Sequence, residues 1–390
     1  MRWDEISARR CLHGFSFWCL ATMNREAAFY HLSGIIPLHE REPYVCPDSG
    51  SGAEPRDSGR ELFITRVLSF SVCYLTVDTD SRHVSETVRE TACRISDMTI
   101  RGAGRIARAG ASAMGTFAEE YGDGSLEDFL KDLEAASQAL ISSRPTAVSL
   151  WNGVRASMKG AADAPDLSSA KSIVSENARR FVESSLSAAE TIAKIGAKRI
   201  MSGDTVMTHC NSSIAIGVIK EAYRQGKEIK VYATESRPWR QGLLTVRELS
   251  EAGIDTTLII DSAVRSVMKR TDKVFVGADT ITSAGVLINK IGTSHLALAA
   301  HESRVPFYVC AETYKFSPMT MFGDTVTIEE RDISEIVKPG EIPDRVKVFN
   351  PVFDSTPGKY IDALITEEGM MSPGSVYGVM AAKLGGEVFL

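Results

Sequence analysis

The chain has 390 residues, a hydrophobic share of 44%, a formal net charge of −6 and a pI near 5.8. That length and apolar content allow two or three domains with cores of their own, and the acidic balance argues against nucleic acid as a partner. No window approaches the roughly 18 uninterrupted apolar residues of a membrane span; the longest candidate, Val67 to Val77, is too short and follows Arg66.

Residues 1–83 read as foreign to the rest. Trp3, Phe15, Phe17 and Trp18 follow no period, and Pro47-Asp-Ser-Gly-Ser-Gly-Ala-Glu-Pro55 has the composition of a flexible linker. The start lacks the basic, apolar, small-residue order of a signal peptide. The expectation is a poorly ordered stretch, either an appendage with its own role or an upstream start-site extension, the second being favoured. Cys11, Cys19, Cys46, Cys73 and Cys93 show no C-x-x-C pair and no matching His cluster, so no metal is assigned. An odd number of cysteines scattered over a long chain fits a reducing, cytoplasmic setting better than a disulfide framework. Cys310 reads as an inert buried thiol.

From Ser85 the pattern turns helical, with Val88, Ala92, Ile95 and Met98 at three- and four-residue steps. Arg101-Gly-Ala-Gly-Arg-Ile-Ala-Arg108 contains a formal G-x-G-x-x-A, but that fingerprint has meaning only directly after a strand. Two readings stay open there: a glycine-permitted turn whose amides and Arg101 hold a phosphate, or a helix–helix turn with solvent-facing arginines. Ser125 to Ser143 is a second amphipathic helix, and Pro145 pushes Arg144 into an extended conformation that ends it. Residues 168–198 form one long helix with Ile173, Ala178, Phe181, Val182, Ala188 and Ile192 on its apolar side.

After residue 200 the period changes. Strand-like runs at 205–208, 229–233, 256–260, 273–276 and 305–309 alternate with helix-like runs at 213–225, 243–252, 262–270 and 293–303. Such alternation of short apolar strands and helices is the sequence form of a parallel sheet covered on both faces. Extended runs near 324–328 and 361–366 are expected to close the sheet or an oligomer interface. The fold class is therefore α/β: an all-α domain over 84–198, then a Rossmann-like, doubly wound parallel sheet domain over 199–390.

Ligands bind such sheets at the carboxyl ends of the strands. Cys210 follows the first strand and directly precedes a helix N-terminus, a place that lowers a thiol pKa and holds anions. Thr234-Glu-Ser-Arg-Pro238, Asp261, Gly277-Ala-Asp-Thr280 and Ala311-Glu-Thr-Tyr-Lys315 follow the next four strands, and Asn289-Lys-Ile-Gly-Thr293 leads into a helix. Singly, each has a bland reading: Asp279 as an N-cap, Lys290 as a surface charge, Arg237 as half of an ion pair. Together, a thiol, a carboxyl and several cations at neighbouring strand ends point to a site for an anionic substrate. No Walker lysine motif or serine nucleophile elbow is present, and His209, His295 and His301 are too dispersed for metal spacing. What remains suits phosphate binding and proton transfer by a thiol–carboxyl pair. Covalent thiol chemistry is the rival, and His209 is a weak partner for it because successive strand residues face opposite sides.

These residues resemble a known family. Thr208-His-Cys-Asn-Ser212, Thr234-Glu-Ser-Arg-Pro238, Gly277-Ala-Asp279, Ile288-Asn-Lys-Ile-Gly-Thr293 and Ala311-Glu-Thr-Tyr-Lys-Phe316 look like the sugar-phosphate isomerase superfamily, over roughly residues 84–390. It contains methylthioribose-1-phosphate isomerases, archaeal ribose-1,5-bisphosphate isomerases and the regulatory subunits of the initiation factor 2B exchange complex. Arg101-Gly-Ala-Gly104 and Glu312-Thr-Tyr-Lys-Phe316 resemble the bisphosphate isomerase branch, and the pair Cys210 and Asp279 resembles the enzymes rather than the regulatory subunits. Two positions depart from the pattern: Asn211 stands where a histidine is usual, as in the methylthioribose branch, and Arg237-Pro-Trp-Arg-Gln-Gly242 where the family reads Arg-Pro-Lys-Trp-Gln-Gly.

The resemblance implies isomerisation of α-ribose 1,5-bisphosphate to ribulose 1,5-bisphosphate, in nucleoside monophosphate breakdown. Cys210 would be the base at C2 and Asp279 the acid at the ring oxygen. Arg101, Gly102, Ala103, Gly104, Arg144 and Lys315 would hold the phosphates, while Asn289 and Lys290 position the sugar. No cofactor is implied. A homo-oligomer, a dimer or a trimer of dimers, is expected. The alternatives are methylthioribose-1-phosphate isomerisation and a non-catalytic regulatory subunit.

Overall fold

The structure, a computed structural model, describes residues 84–343 and 345–384; the expectations for residues 1–83 lie outside the described residues. Five helices come first. Helix α1 (Glu86–Ser96) is capped by Ser85, whose hydroxyl accepts from the Val88 amide. Helix α2 spans Ala103–Glu120. Helix α3 (Leu126–Ser143) is capped by Ser125, and α5 (Leu167–Ala197) by Asp166. Each cap satisfies a backbone donor that the helix itself cannot. Val88, Ile95, Met114, Phe117, Phe129, Leu133, Leu140 and Leu150 share one core, and each such side chain contributes about 1.5–3 kcal/mol by burial. Leu150 belongs to α4 (Val148–Met158), a helix with no counterpart in the sequence reading. Pro145 restricts only the residue before it: Arg144 ends α3 with φ −156°, and the chain is free to turn again three residues later.

The sheet follows. Its strands are β1 (Thr205–Thr208), β2 (Lys230–Thr234), β3 (Asp255–Ile259), β4 (Lys273–Val276), β7 (Phe307–Cys310), β9 (Ala363–Thr366) and β10 (Gly369–Met371). Their order is β10-β9-β7-β4-β1-β2-β3, parallel except for β10, which runs antiparallel to β9. The chain leaves β1 outward through β2 and β3, then lays β4 on the other side of β1. That reversal opens a crevice between the carboxyl ends of β1 and β4, the switch point of an open α/β sheet. Residues of each strand alternate between the two faces. Val206 and Phe275 share a core with α5 and α6 (Ser213–Arg224). Met207, Val274 and Val276 share another with α8 (Val264–Val267) and α9 (Thr293–Ser303). Helix α7 (Gly242–Glu251) joins β2 to β3.

Three expectations change. The run at 262–270 is not one helix but α8 flanked by 3-10 turns at Asp261–Ala263 and Met268–Arg270. The run near 324–328 makes no strand; the stretch is irregular, and just beyond it Glu330 forms an isolated bridge with Pro351. A second, antiparallel sheet of β5 (Thr280–Ile281), β6 (Leu287–Lys290) and β8 (Phe353–Thr356), in the order β5-β6-β8, has no counterpart in the sequence reading. Among the described residues, no helix is long and apolar enough to cross a membrane. The last helix, α10, is Val376–Leu384.

Candidate active site

A cavity of about 340 Å³ lies over the switch point. All ten site residues read from the sequence line it: Cys210 after β1, Asp279 after β4, Asn289 and Lys290 at the end of β6, Lys315 after β7, Arg101 to Gly104 at the start of α2, and Arg144 at the end of α3. Glycine at two positions permits this convergence. A Cβ on Gly277 would stand 2.2 Å from Ser212 Oγ, so only glycine lets the cap of α6 close onto the end of β4. Gly292, at φ 101°, packs against the His209 ring, where a Cβ would sit 3.0 Å from its nearest carbon.

Cys210 is a non-glycine residue with φ 67°, a left-handed conformation that costs an ordinary residue about 1–3 kcal/mol. Its amide donates to Ser236 Oγ (2.8 Å), its carbonyl accepts from Thr245 Oγ1 (2.6 Å), and Sγ lies 3.4 Å from Gln241 Oε1. Burial pushes the thiol up to about 11; Lys290 and Arg101 pull the other way, and Asp279 adds to the rise. The sequence expectation of a thiol lowered by the adjoining helix is therefore corrected: loss of solvation outweighs the cations and backbone. Asp279 is likewise raised, by burial first, against the attraction of Lys315, Lys290 and Arg144. Thiol and carboxyl thus both favour their protonated forms.

His209 stands apart from this chemistry. Nε2 donates to the Ile291 carbonyl (2.8 Å), which leaves Nδ1 to accept from Thr234 Oγ1 (2.6 Å), the tautomer being assigned from these partners. Burial lowers its pKa, so the ring is neutral. It ties β1 to the turn carrying Asn289 and Lys290 and has no spare nitrogen for Cys210. In that turn, Asn289 Nδ2 donates to Thr293 Oγ1 (3.0 Å), and Lys290 Nζ lies 5.5 Å from the centre of the Phe353 ring. Asp354 accepts from the amides of Gly292 (2.7 Å) and Ser294.

The cations come with counter-charges, one buried and one half-buried, that the sequence reading assigned no role. Lys315 pairs with Glu312 at 2.8 Å, their side chains 5% and 1% exposed. Arg144 pairs with Glu329 at 3.4 Å, and Glu329 is gripped again by Arg331 Nε at 2.6 Å. Glu312 precedes Lys315 by three residues in the quoted motif, a legible spacing. Nothing in sequence links Glu329 to Arg144. Arg101 and Gly102 lead into α2, where Gly102 has φ 86° and no side chain caps the helix; both residues line the cavity. Asn211 is committed elsewhere, donating to Thr245 Oγ1 and Glu248 Oε1, both at 3.2 Å.

Comparison with known proteins finds relatives in sequence and in fold. The profile of the initiation factor 2 subunit family covers residues 99–373. Ribose 1,5-bisphosphate isomerase of Methanocaldococcus jannaschii is 51% identical over 286 residues, 73% of this chain and 92% of that protein. Two solved structures from Pyrococcus horikoshii OT3 superpose on the fold. One is titled translation initiation factor eIF-2B (TM-score 0.65, 35% identity, 74% of this chain and 98% of that one). The other is 5-methylthioribose 1-phosphate isomerase (TM-score 0.63, 30% identity, 76% and 88%). The chain belongs to the initiation factor 2 subunit family.

Proposed function

We propose that this protein is an isomerase that converts α-ribose 1,5-bisphosphate to ribulose 1,5-bisphosphate, with Cys210 and Asp279 moving the protons. One observation carries the reading: a thiol and a carboxyl whose pKa burial raises flank the switch point of the sheet, within a cavity also lined by Arg101, Arg144, Lys290 and Lys315. The likeness to the M. jannaschii isomerase supports the substrate.

The chemistry follows from the groups present. A phosphate on O1 prevents ordinary opening of the ribose ring. Cys210, as thiolate, removes the proton from C2; the C1–O4 bond breaks and Asp279 gives its proton to O4. The resulting C1=C2 enol then takes the proton of Cys210 at C1, while the C2 hydroxyl returns a proton to Asp279. Both residues end in their starting forms. Lys290 and Asn289 face the charge that develops at C1 and C2, and the start of α2 with Arg101, Arg144 and Lys315 binds phosphate. The chain is proposed to act as a homo-oligomer, within nucleoside monophosphate breakdown.

Proton NMR of purified protein with α-ribose 1,5-bisphosphate, beside methylthioribose 1-phosphate, tests the reading. Ribulose bisphosphate from the first substrate alone is expected. Turnover of the second substrate instead would move the protein to the other isomerase branch, and tight bisphosphate binding without turnover would make it a regulatory subunit. Cys210→Ser is expected to bind bisphosphate and lose most turnover.

A further inference from the structure

We propose that Ser236 and Thr245 are positioning residues for the isomerisation: they clamp the peptide of Cys210 in its left-handed conformation and so aim the thiol into the cavity. The inference rests on Cys210 as the proton-moving group and concerns what holds it there.

A strand sends successive side chains to opposite faces. A residue at φ 67° directly after β1 leaves that pattern, and Cys210 lines the cavity instead of a sheet core. L-residues other than Asn and Asp rarely adopt this conformation unaided, so it must be imposed. Both polar groups of the residue are held by side chains from outside its own turn. Ser236, beyond β2, accepts from the amide at 2.8 Å; Thr245, on α7, donates to the carbonyl at 2.6 Å. The two hydroxyl residues are 1% and 0% exposed, and neither lines the cavity.

The clamp is itself fixed. The Ser236 and Arg237 amides both donate to the Asp261 carboxylate, each at 2.8 Å. Ser236 Oγ also lies 3.2 Å from Thr234 Oγ1. A single directed chain results: Cys210 amide to Ser236, Ser236 to Thr234, Thr234 to His209 Nδ1, and His209 Nε2 to the Ile291 carbonyl. Each donor polarises the next, and the chain joins Cys210 to the turn bearing Asn289 and Lys290. On the other side, α7 begins so close to β2 that a Cβ on Gly242 would overlap the Thr234 carbonyl oxygen at 1.7 Å. Thr245 therefore has little freedom to follow a moving peptide. The arrangement does for a thiol what a strained strand-to-helix turn does for a nucleophilic serine.

Because neither hydroxyl reaches the cavity, a positioning role shows in turnover and not in substrate binding. The test measures kcat and KM for α-ribose 1,5-bisphosphate in Thr245→Val, Ser236→Ala and Thr245→Ser, with iodoacetamide labelling of the Cys210 peptide followed by mass spectrometry. The valine and alanine variants are expected to lose at least fivefold in kcat with KM within threefold of the parent. Their labelling rates should change at least threefold, and Thr245→Ser, which keeps the hydroxyl, should restore both. Smaller changes in both variants overturn the proposal, as does a serine variant as impaired as the valine one. Failure of both variants to fold would make the bonds structural and also overturn it. Cys210→Ser in parallel separates the two readings: full turnover in that variant sinks the proton-transfer role, whereas loss there beside unaffected Thr245→Val and Ser236→Ala sinks only the clamp. If no bisphosphate is turned over at all, the function reading fails and the labelling rates alone decide the clamp.

Discussion

Lys315 Nζ and Glu312 Oε2 lie 2.8 Å apart with almost no exposure, and the lysine borders the cavity that holds Asp279. Burial alone would raise the Glu312 pKa, but Lys315 and the Tyr314 hydroxyl (2.7 Å away) outweigh it and hold the carboxyl below its usual value. Lys315 is also the leading group that pulls the Asp279 pKa down. Glu312→Gln would leave its charge uncompensated and favour ionised Asp279. The limb of the kcat/KM profile that Asp279 governs should then move to lower pH, by one unit for each ~1.4 kcal/mol of differential interaction. A pH–rate series on the variant checks this; an unmoved limb rejects it.

The parent enzyme should show a broad pH profile. With the thiol pushed up to about 11 by burial, the thiolate that the reaction needs is a minority form near neutrality. The raised Asp279 keeps its acid form to higher pH than an ordinary carboxyl would. The expected kcat/KM therefore holds or rises from neutral into alkaline solution. A decline beginning near pH 8 would contradict the raised pair.

Asp279→Asn should trade activity for stability. The folded-state pKa of Asp279 is raised above the unfolded value, so the folded protein holds this proton more tightly. The group's contribution is full below the unfolded carboxyl value and is lost as pH rises through the folded one. Asparagine removes that loss. The variant's thermal midpoint should therefore gain on the parent's between acid and neutral pH, while turnover falls about 10²–10⁴-fold. Equal midpoint differences at both ends of that range would contradict the assignment.

Position 210 should prefer glycine to alanine. With φ at 67°, a Cβ carries a steric penalty that glycine lacks, about 1 kcal/mol. Both variants lack the thiol, so Cys210→Gly against Cys210→Ala isolates the backbone term. Calorimetry should place the glycine variant higher; the reverse order would mean an ordinary conformation at this residue.

Gly277→Ala should damage the site through packing. Its Cβ would meet Ser212 Oγ at 2.2 Å and Ser212 Cβ at 2.6 Å, and Ser212 caps α6 directly after Cys210 and Asn211. Overpacking of this kind costs about 1–3 kcal/mol. Denaturant unfolding should show that loss, with a fall in kcat as the end of β1 shifts away from Asp279.

The elements most readable from sequence are those whose local pattern and tertiary role agree. Short apolar strands and capped amphipathic helices emerge within a residue or two, as with Thr205–Thr208 and Ser213–Arg224. Helix α4 escapes because Pro145 imitates a longer break, and the small sheet escapes because β5 is two residues long and β6 takes its other partner, β8, from far along the chain. Cys210, Asp279, Asn289, Lys290 and Lys315 were legible because polar groups at strand ends, and the turns beside them, converge on one edge; Arg101 to Gly104 and Arg144, from the helical part, followed from the family resemblance.

By itself, then, the sequence determined the order of strands and helices, the carboxyl edge as the site, and the chemical types gathered there. These depend on hydrophobic period and on short motifs, which are local. Only the tertiary structure decided that Cys210 and Asp279 flank the reversal between β1 and β4, that burial raises both pKa values, and that Ser236, Thr245, Glu312 and Glu329 restrain the groups facing the cavity. Solvation and hydrogen-bond partners depend on what lies nearby in space, and folding brings those neighbours from segments that no periodicity connects.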